Sequence, residues 1–386
     1  MRLRLRSRIS SWFGGRPVRA LVALPCLLAA LAALPAAASA DTRGAPLTER
    51  STLDLPAPGG PFPDTVIHGH RRLLRSNGPT SRAQTYPVLG GEHVDVYSTY
   101  YGDAEMQSVV NVLGGLIHGP EMNTLSVYVA SPDEITYICG QGALACYSPG
   151  MSEMIVSGID GSSYGVPRDY TIAHEYGHHM ANNQLNAPWT AIDTGAKRWA
   201  TYVRVCQGTR KGQLFPGDED AHYWENPGEG FAETNAHLNF PSLSVAWGYS
   251  PLLHPTQDSM ARVQADITSP WTAPVTATWN GRMWPQRRNP AVHRFATPYD
   301  GEVLIELDGP ETANYDVYVL GSKLPLTKHK RQGRHKAKVR RRVIDRSVSG
   351  GSSEELQMTL CGHSSIQVEV RRRSGAGPFS LSVTRP

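Results

Sequence analysis

The stretch Thr171 to Asn183, TIAHEYGHHMANN, restricts this chain more than any other. His174, Glu175 and His178 follow the pattern H-E-x-x-H. Residues four apart on an α-helix differ by one turn plus about 40°, so both imidazoles leave one face and reach a common point. That is the geometry of a metal site. Glu175 lies about 100° round from His174, close enough to touch water at that point without taking a coordination position. Random order would produce the pattern somewhere with odds of about 2 in 100, so context has to decide. Gly150 to Gly158 reads as a short strand bounded by glycines. Tyr164 to Tyr170 reads as a turn around Pro167, with Asp169 as the helix N-cap. Strand, turn and helix in that order are the setting the motif needs.

The N-terminus bears on compartment. Arg2, Arg4, Arg6, Arg8, Arg16 and Arg19 precede and flank the apolar run Ala20 to Leu34, which is followed by Ala38-Ser39-Ala40. This is the layout of an export signal, with cleavage expected after Ala40 and a secreted product. A transmembrane anchor is not expected, because the run is about 15 residues, holds Pro25, and falls short of the roughly 20 a span needs. No other segment is long and apolar enough. Cys26 follows Ala-Leu-Pro rather than a small residue, which argues against lipid attachment. Beyond the signal remain Cys139, Cys146, Cys206 and Cys361, an even set that suggests disulfides. Cys139 and Cys146 bracket the loop Gly140 to Ala145, so their pairing is the simplest, leaving Cys206 with Cys361. None has C-x-x-C spacing, which disfavours a cysteine zinc site.

Net charge is only +4, but ten Lys or Arg fall between Lys323 and Arg342. Phe, Tyr and Trp are missing from that run, so no stacking platform accompanies the charge and nucleic acid is not an expected partner. An exposed loop, or contact with an anionic cell-surface polymer, is the expectation for an exported chain.

Asp41 to Thr85 is rich in Pro, Gly and Arg and reads as a flexible leader or short propeptide. Arg71, Arg72 and Arg75 are either a processing point or part of an ordinary tail. Globular patterning starts at Tyr86. Asp103 opens a helix with Met106, Val109, Val110 and Leu113 on one face, and Thr124 to Ala130 alternates as a strand. Ala191 to Cys206 reads as one helix with Trp199, Tyr202 and Val203 on one side. Asp218, Glu219 and Asp220 lack the spacing of a calcium loop and read as a solvated turn. Asn226-Pro227 starts a helix running through Asn235, and Thr256 caps another ending at Ile267. Beyond Ser269 the texture changes. Pro274, Pro285 and Pro290 mark a linker, and short alternating segments recur at 291–296, 301–307, 315–320, 357–360, 366–370 and 379–383, the pattern of a β-sandwich. The expected fold class is α+β, a catalytic half at 86–270 followed by a sandwich at 271–386.

Two histidines leave a tetrahedral zinc short of a protein ligand. A metzincin would continue with Gly at 181 and His at 184, whereas this chain has Ala181 and Gln184. The other usual source is a carboxylate on a later helix, and Glu229 and Glu233 in GEGFAE stand one turn apart. HEYGH followed by ENPGEGFAE resembles the zincin metallopeptidases of the gluzincin group, H-E-x-x-H plus E-x-x-x-D/E, over about 65 residues. The resemblance implies a zincin-like domain, a small sheet with active-site helices, in which His174, His178 and Glu229 hold Zn2+ and Glu175 is the general base. Glu233 would accept a ring N–H and fix a histidine tautomer. Exchange of roles between Glu229 and Glu233 stays open, and Glu225 is a third candidate ligand. Tyr223 or His222 would donate to the oxyanion, while His179 points elsewhere. The implied activity is hydrolysis of peptide bonds in a protein or peptide substrate. The contrasting expectation is a cell-surface or cell-wall binding protein with a structural zinc. The segment Trp279 to Pro386, closing in SIQVEVRRRSGAGPFSLSVTRP, is similar to bacterial pre-peptidase C-terminal modules.

Overall fold

A computed structural model describes Val66 and residues 82–159, 162–163, 165–243, 248–286, 290–323, 341–362 and 364–386. The export signal, the leader apart from Val66 and Arg82 to Thr85, and residues 324–340 of the basic run lie outside the described residues.

Short β-branched runs separated by helical ones build the first half. They are β1 (Arg82–Pro87), β2 (His93–Ser98), α1 (Asp103–Gly115), β3 (Ser126–Ala130), α2 (Pro132–Cys139), β4 (Cys146–Ser148) and β5 (Glu153–Ser157). The strands form one sheet in the order β1-β2-β3-β5-β4. β2, β3 and β5 run parallel, and β1 and β4 are antiparallel to their neighbours. Period-two alternation sorts the faces. Val127, Val129, Met154 and Val156 join the main core with Met106, Val109, Val110 and Leu113 of α1, whereas Tyr128, Ala130 and Ile155 pack with Ile135 of α2. The sheet starts at Arg82, four residues before the expected boundary.

Two short ladders, β6 (Ser162–Ser163) with β7 (Val166–Pro167) and β8 (Leu185–Asn186) with β9 (Trp189–Thr190), flank the motif helix α3 (Arg168–Asn182). The cap of α3 is Pro167, not Asp169. Asp169 sits in the first turn, where its charge meets the positive end of the helix and the Arg168 guanidinium at 2.8 Å. The single helix expected over 191–206 is three short ones, α4 (Ala191–Thr194), α5 (Lys197–Tyr202) and α6 (Val205–Arg210). Gly195 at φ +74° and Arg204 at φ +63° break the run, since left-handed backbone cannot continue a right-handed helix. Trp199 and Val203 are buried, but Tyr202 is exposed.

Helix α7 (Pro227–Asn239) starts where Asn226-Pro227 says it should. Asn226 Oδ1 accepts from Gly228 N at 3.0 Å and Pro227 takes the first turn. It runs four residues past the expected end. Helix α8 (Gln257–Thr268) is capped by Thr256, which accepts from Ser259 N.

The remaining strands are β10 (Val275–Met283), β11 (Ala291–Thr297), β12 (Gly301–Asp308), β13 (Asn314–Lys323), β14 (Arg341–Ser347), β15 (Glu354–Leu360), β16 (Ser364–Ser374) and β17 (Gly377–Arg385). They make two antiparallel sheets, β10-β17-β12-β15 and β11-β16-β13-β14. Val303, Ile305 and Leu381 from one and Val317, Val319 and Val368 from the other share a single core. The class is therefore α+β with a sandwich-like second half. The expected linker around Pro274 instead holds β10, and the basic run ends in β14. Both are edge strands, whose polar, half-solvated residues carry little apolar alternation.

Cys139 pairs with Cys146 and Cys206 with Cys361, at Cα separations of 5.6 and 5.4 Å. The second bridge joins α6 to the sandwich. Beside it Lys197, 1% exposed, donates to the carbonyls of Ala187 at 2.7 Å and Asp300 at 3.0 Å.

Candidate metal centre

Helix α3 is buried along nearly its whole length, and the reason it tolerates His and Glu there is α7, which packs across it and supplies partners. Gly177 makes the approach close. A Cβ at that position would stand 2.7 Å from Ala232 Cα. Asn235 Nδ2 of α7 donates to Ala173 O of α3 at 2.8 Å, locking the crossing.

That crossing sets His174 Nε2 3.1 Å from Glu229 Oε2 and His178 Nε2 3.3 Å from Glu229 Oε1. One donor atom from each of the three residues lies within 4.8 Å of the others, all buried. Tetrahedral bonds of 2.0–2.1 Å put neighbouring ligand atoms about 3.3 Å apart, and each Nε2 stands about that far from one oxygen of Glu229, which suits a small metal ion. The group can hold a metal. Of the two carboxylates on α7, Glu229 faces both Nε2 atoms. Glu233 Oε2 is 3.4 Å from Nδ1 of His174, and its Oε1 accepts from Tyr170 Oη at 2.5 Å and stands 3.2 Å from His237 Nε2. Burial pushes the Glu229 carboxyl up, but the charges and hydrogen bonds of His178 and His174 outweigh it and hold the group ionised. The same balance, with His174, His237 and Tyr170, leaves Glu233 below the usual carboxylate range.

Glu175 is fully buried on the same turn as the ligand pair. His179 turns away: its Nδ1 meets Tyr147 Oη at 3.1 Å and its Nε2 the Glu121 carbonyl at 2.9 Å, and burial lowers its pKa. Tyr223 is buried with its ring against Trp224 and Tyr249. His222 is engaged elsewhere, with Nδ1 2.8 Å from Asp218 Oδ2 and its ring stacked on Phe215 at 3.7 Å. Glu225 lies in the turn before α7 and, among the described residues, is not in the donor group.

Glu219 overturns one expectation. It is not part of a solvated turn but hydrogen-bonds to Glu229, and it accepts from Asn226 Nδ2 at 2.7 Å. Burial and the adjoining Glu229 charge push its pKa well above the usual range. Asn226 thus caps α7 with one side-chain atom and holds Glu219 with another. The local bonds of the triplet, in which Asp218 Oδ1 accepts from the backbone N–H groups of Asp220 and His222, gave no signal of this contact.

No family model matches the chain, and no curated protein matches it. Solved structures give short overlaps. A mitogen from Yersinia pseudotuberculosis is 13% identical over 29% of this chain and 87% of its own, TM-score 0.20. The pre-peptidase C-terminal domain of a collagenase from Bacillus anthracis is 13% identical over 28% of this chain and 89% of its own, TM-score 0.19. The SPBc2 prophage-derived protein YomS is 11% identical over 28% and 95%, TM-score 0.16.

Proposed function

We propose that this is a secreted zinc-dependent metallopeptidase. The observation that carries the reading is the buried His174, His178 and Glu229 donor group with Glu175 beside it on the same helix. Two imidazoles and a carboxylate suit zinc, which when bound supplies Lewis acidity and lowers the pKa of water toward about 7. In this reading His174, His178 and Glu229 hold the ion. Glu175 takes a proton from the attacking water and returns it to the departing amine. Glu233 accepts Nδ1–H of His174, keeping Nε2 directed at the ion. Tyr223 is the proposed donor to the oxyanion of the scissile carbonyl. The two disulfides suit an oxidising compartment, and among the described residues no helix is long and apolar enough to cross a membrane. A protein or peptide is the proposed substrate, and the basic run is the proposed contact with anionic cell-surface polymer.

One observation favours the second reading, a binding protein with a structural zinc. The four motif and ligand side chains are at most 2% exposed, and structural sites are closed. Glu175 separates the two, because a structural site has no use for it. Metal content of the mature protein, with cleavage of a peptide library with and without chelator, tests both. Glu175→Gln is expected to keep zinc and lose cleavage. Stoichiometric zinc in a wild-type protein that cuts no peptide would sink the peptidase reading.

A further inference from the structure

On each helix the metal motif continues one turn beyond the donor group. Tyr170, His174 and His178 are spaced four apart on α3, and Glu229, Glu233 and His237 have the same spacing on α7. Residues at that spacing drift by only about 40° per step, so each triplet occupies one face of its helix. The two faces meet in opposite order. His178 and His174 reach Glu229 at 3.3 and 3.1 Å, and His174 reaches Glu233 at 3.4 Å. Tyr170 and His237 meet at the end of the row, with ring centroids 5.6 Å apart and planes at 87°. Glu233 is the hub of this arrangement. Its Oε1 accepts from Tyr170 Oη at 2.5 Å and from His237 Nε2 at 3.2 Å, while its Oε2 faces Nδ1 of His174.

We propose that Tyr170 and His237 are positioning residues of the metal centre, a third rung that fixes the Glu233 carboxylate and, through it, the tautomer and ring direction of His174. A carboxylate held by two donors at one oxygen no longer turns about its last torsion, and it does not swing toward the ion beside Glu229. With Oε2 presented to Nδ1, the proton of neutral His174 stays on Nδ1 and the Nε2 lone pair stays directed at the ion. The rung also separates two glutamates that stand one turn apart. Glu233 is tied to Tyr170 and His237, whereas Glu229 faces both Nε2 atoms. His237, with 20% of its side chain exposed, is the most accessible of the six residues and the one whose replacement disturbs the core least. The inference rests on the zinc-holding part of the reading above and does not need cleavage of a peptide.

The test measures zinc affinity of the full exported chain by chelator competition, with the ring 15N shifts of His174 in the zinc-free protein as the record of its tautomer. His237→Leu removes one donor and should weaken zinc about tenfold, the factor for one lost hydrogen bond to a charged group, and mix the His174 tautomers. His237→Gln keeps an amide donor near the place of Nε2 and should stay within about twofold of wild type. Tyr170→Phe keeps the ring, removes Oη, and should again cost about tenfold. In a Glu233→Ala background both losses should shrink to within about twofold, because the group through which they act is gone. His237→Leu and Tyr170→Phe proteins that bind zinc as wild type does overturn the proposal. So do losses that persist undiminished without Glu233, since these would come from the fold at large. If the losses appear as expected while the zinc-loaded wild type cuts no peptide, the rung stands and the peptidase reading falls.

Discussion

Gly177→Ala tests whether the α3 and α7 crossing is what assembles the centre. A Cβ on residue 177 would lie 2.7 Å from Ala232 Cα, 3.1 Å from Asn235 Cβ and 3.2 Å from Ala232 Cβ. The first of these is backbone in a buried helix, so no side-chain rotation relieves it. Reaching ordinary contact means separating the helices by about 0.7 Å. The Asn235 to Ala173 hydrogen bond, now 2.8 Å, would then stretch to the limit of such bonds. Overpacking costs about 1–3 kcal/mol and the weakened bond about 1 kcal/mol, against about 1 kcal/mol gained from replacing glycine inside a helix. The expected net loss is about 1–3 kcal/mol, read as a lower urea midpoint of the metal-free protein. Because α3 carries both histidines and α7 carries Glu229, the same shift pulls the donors apart. Zinc affinity by chelator competition should fall about 10–100-fold, the range for disturbed supporting contacts. A variant as stable as wild type that binds zinc within twofold would refute the reasoning.

Three further outcomes follow from other contacts. Glu233→Ala removes the acceptor of His174 Nδ1 and should weaken zinc about 10–100-fold, measured by the same competition, while the fold persists. Burial lowers the pKa of Lys197 to about 7 from 10.5, against the opposing pull of Asp300 and Asp266. The folded chain thus gives up this proton first, the unfolded chain binds more protons between pH 7 and 10.5, and stability rises with pH there by at most about 1.4 kcal/mol per unit. Urea midpoints from pH 7 to 10 should show that slope in wild type and lose it in Lys197→Met. Replacing Cys206 and Cys361 with Ser opens a crosslink spanning 155 residues and should cost about 2–5 kcal/mol in thermal or urea unfolding, with a smaller loss for the Cys139 and Cys146 pair.

What could be read from the chain alone was local. His174 and His178 share a face because helix geometry relates residues four apart, and Asn226-Pro227 starts α7 because a side-chain cap and a fixed φ act within one turn. The alternating strands of the sandwich were legible for the same reason, and the edge strands β10 and β14 were not, because a half-solvated strand needs no apolar face. Tertiary structure decided the rest. Left-handed backbone at Gly195 and Arg204 broke a helix that periodicity had run together. Glu229 and Glu233 looked alike in GEGFAE, and only the crossing of α3 and α7 turned one toward both Nε2 atoms and the other toward Nδ1. Glu219 read as solvent-facing until folding set it on Glu229, and nothing local signalled that its other oxygen accepts from the Val66 N–H, 153 positions away. Capping and periodicity act over a few residues and are written in order along the chain, whereas contacts between distant residues exist only once the core has closed around them.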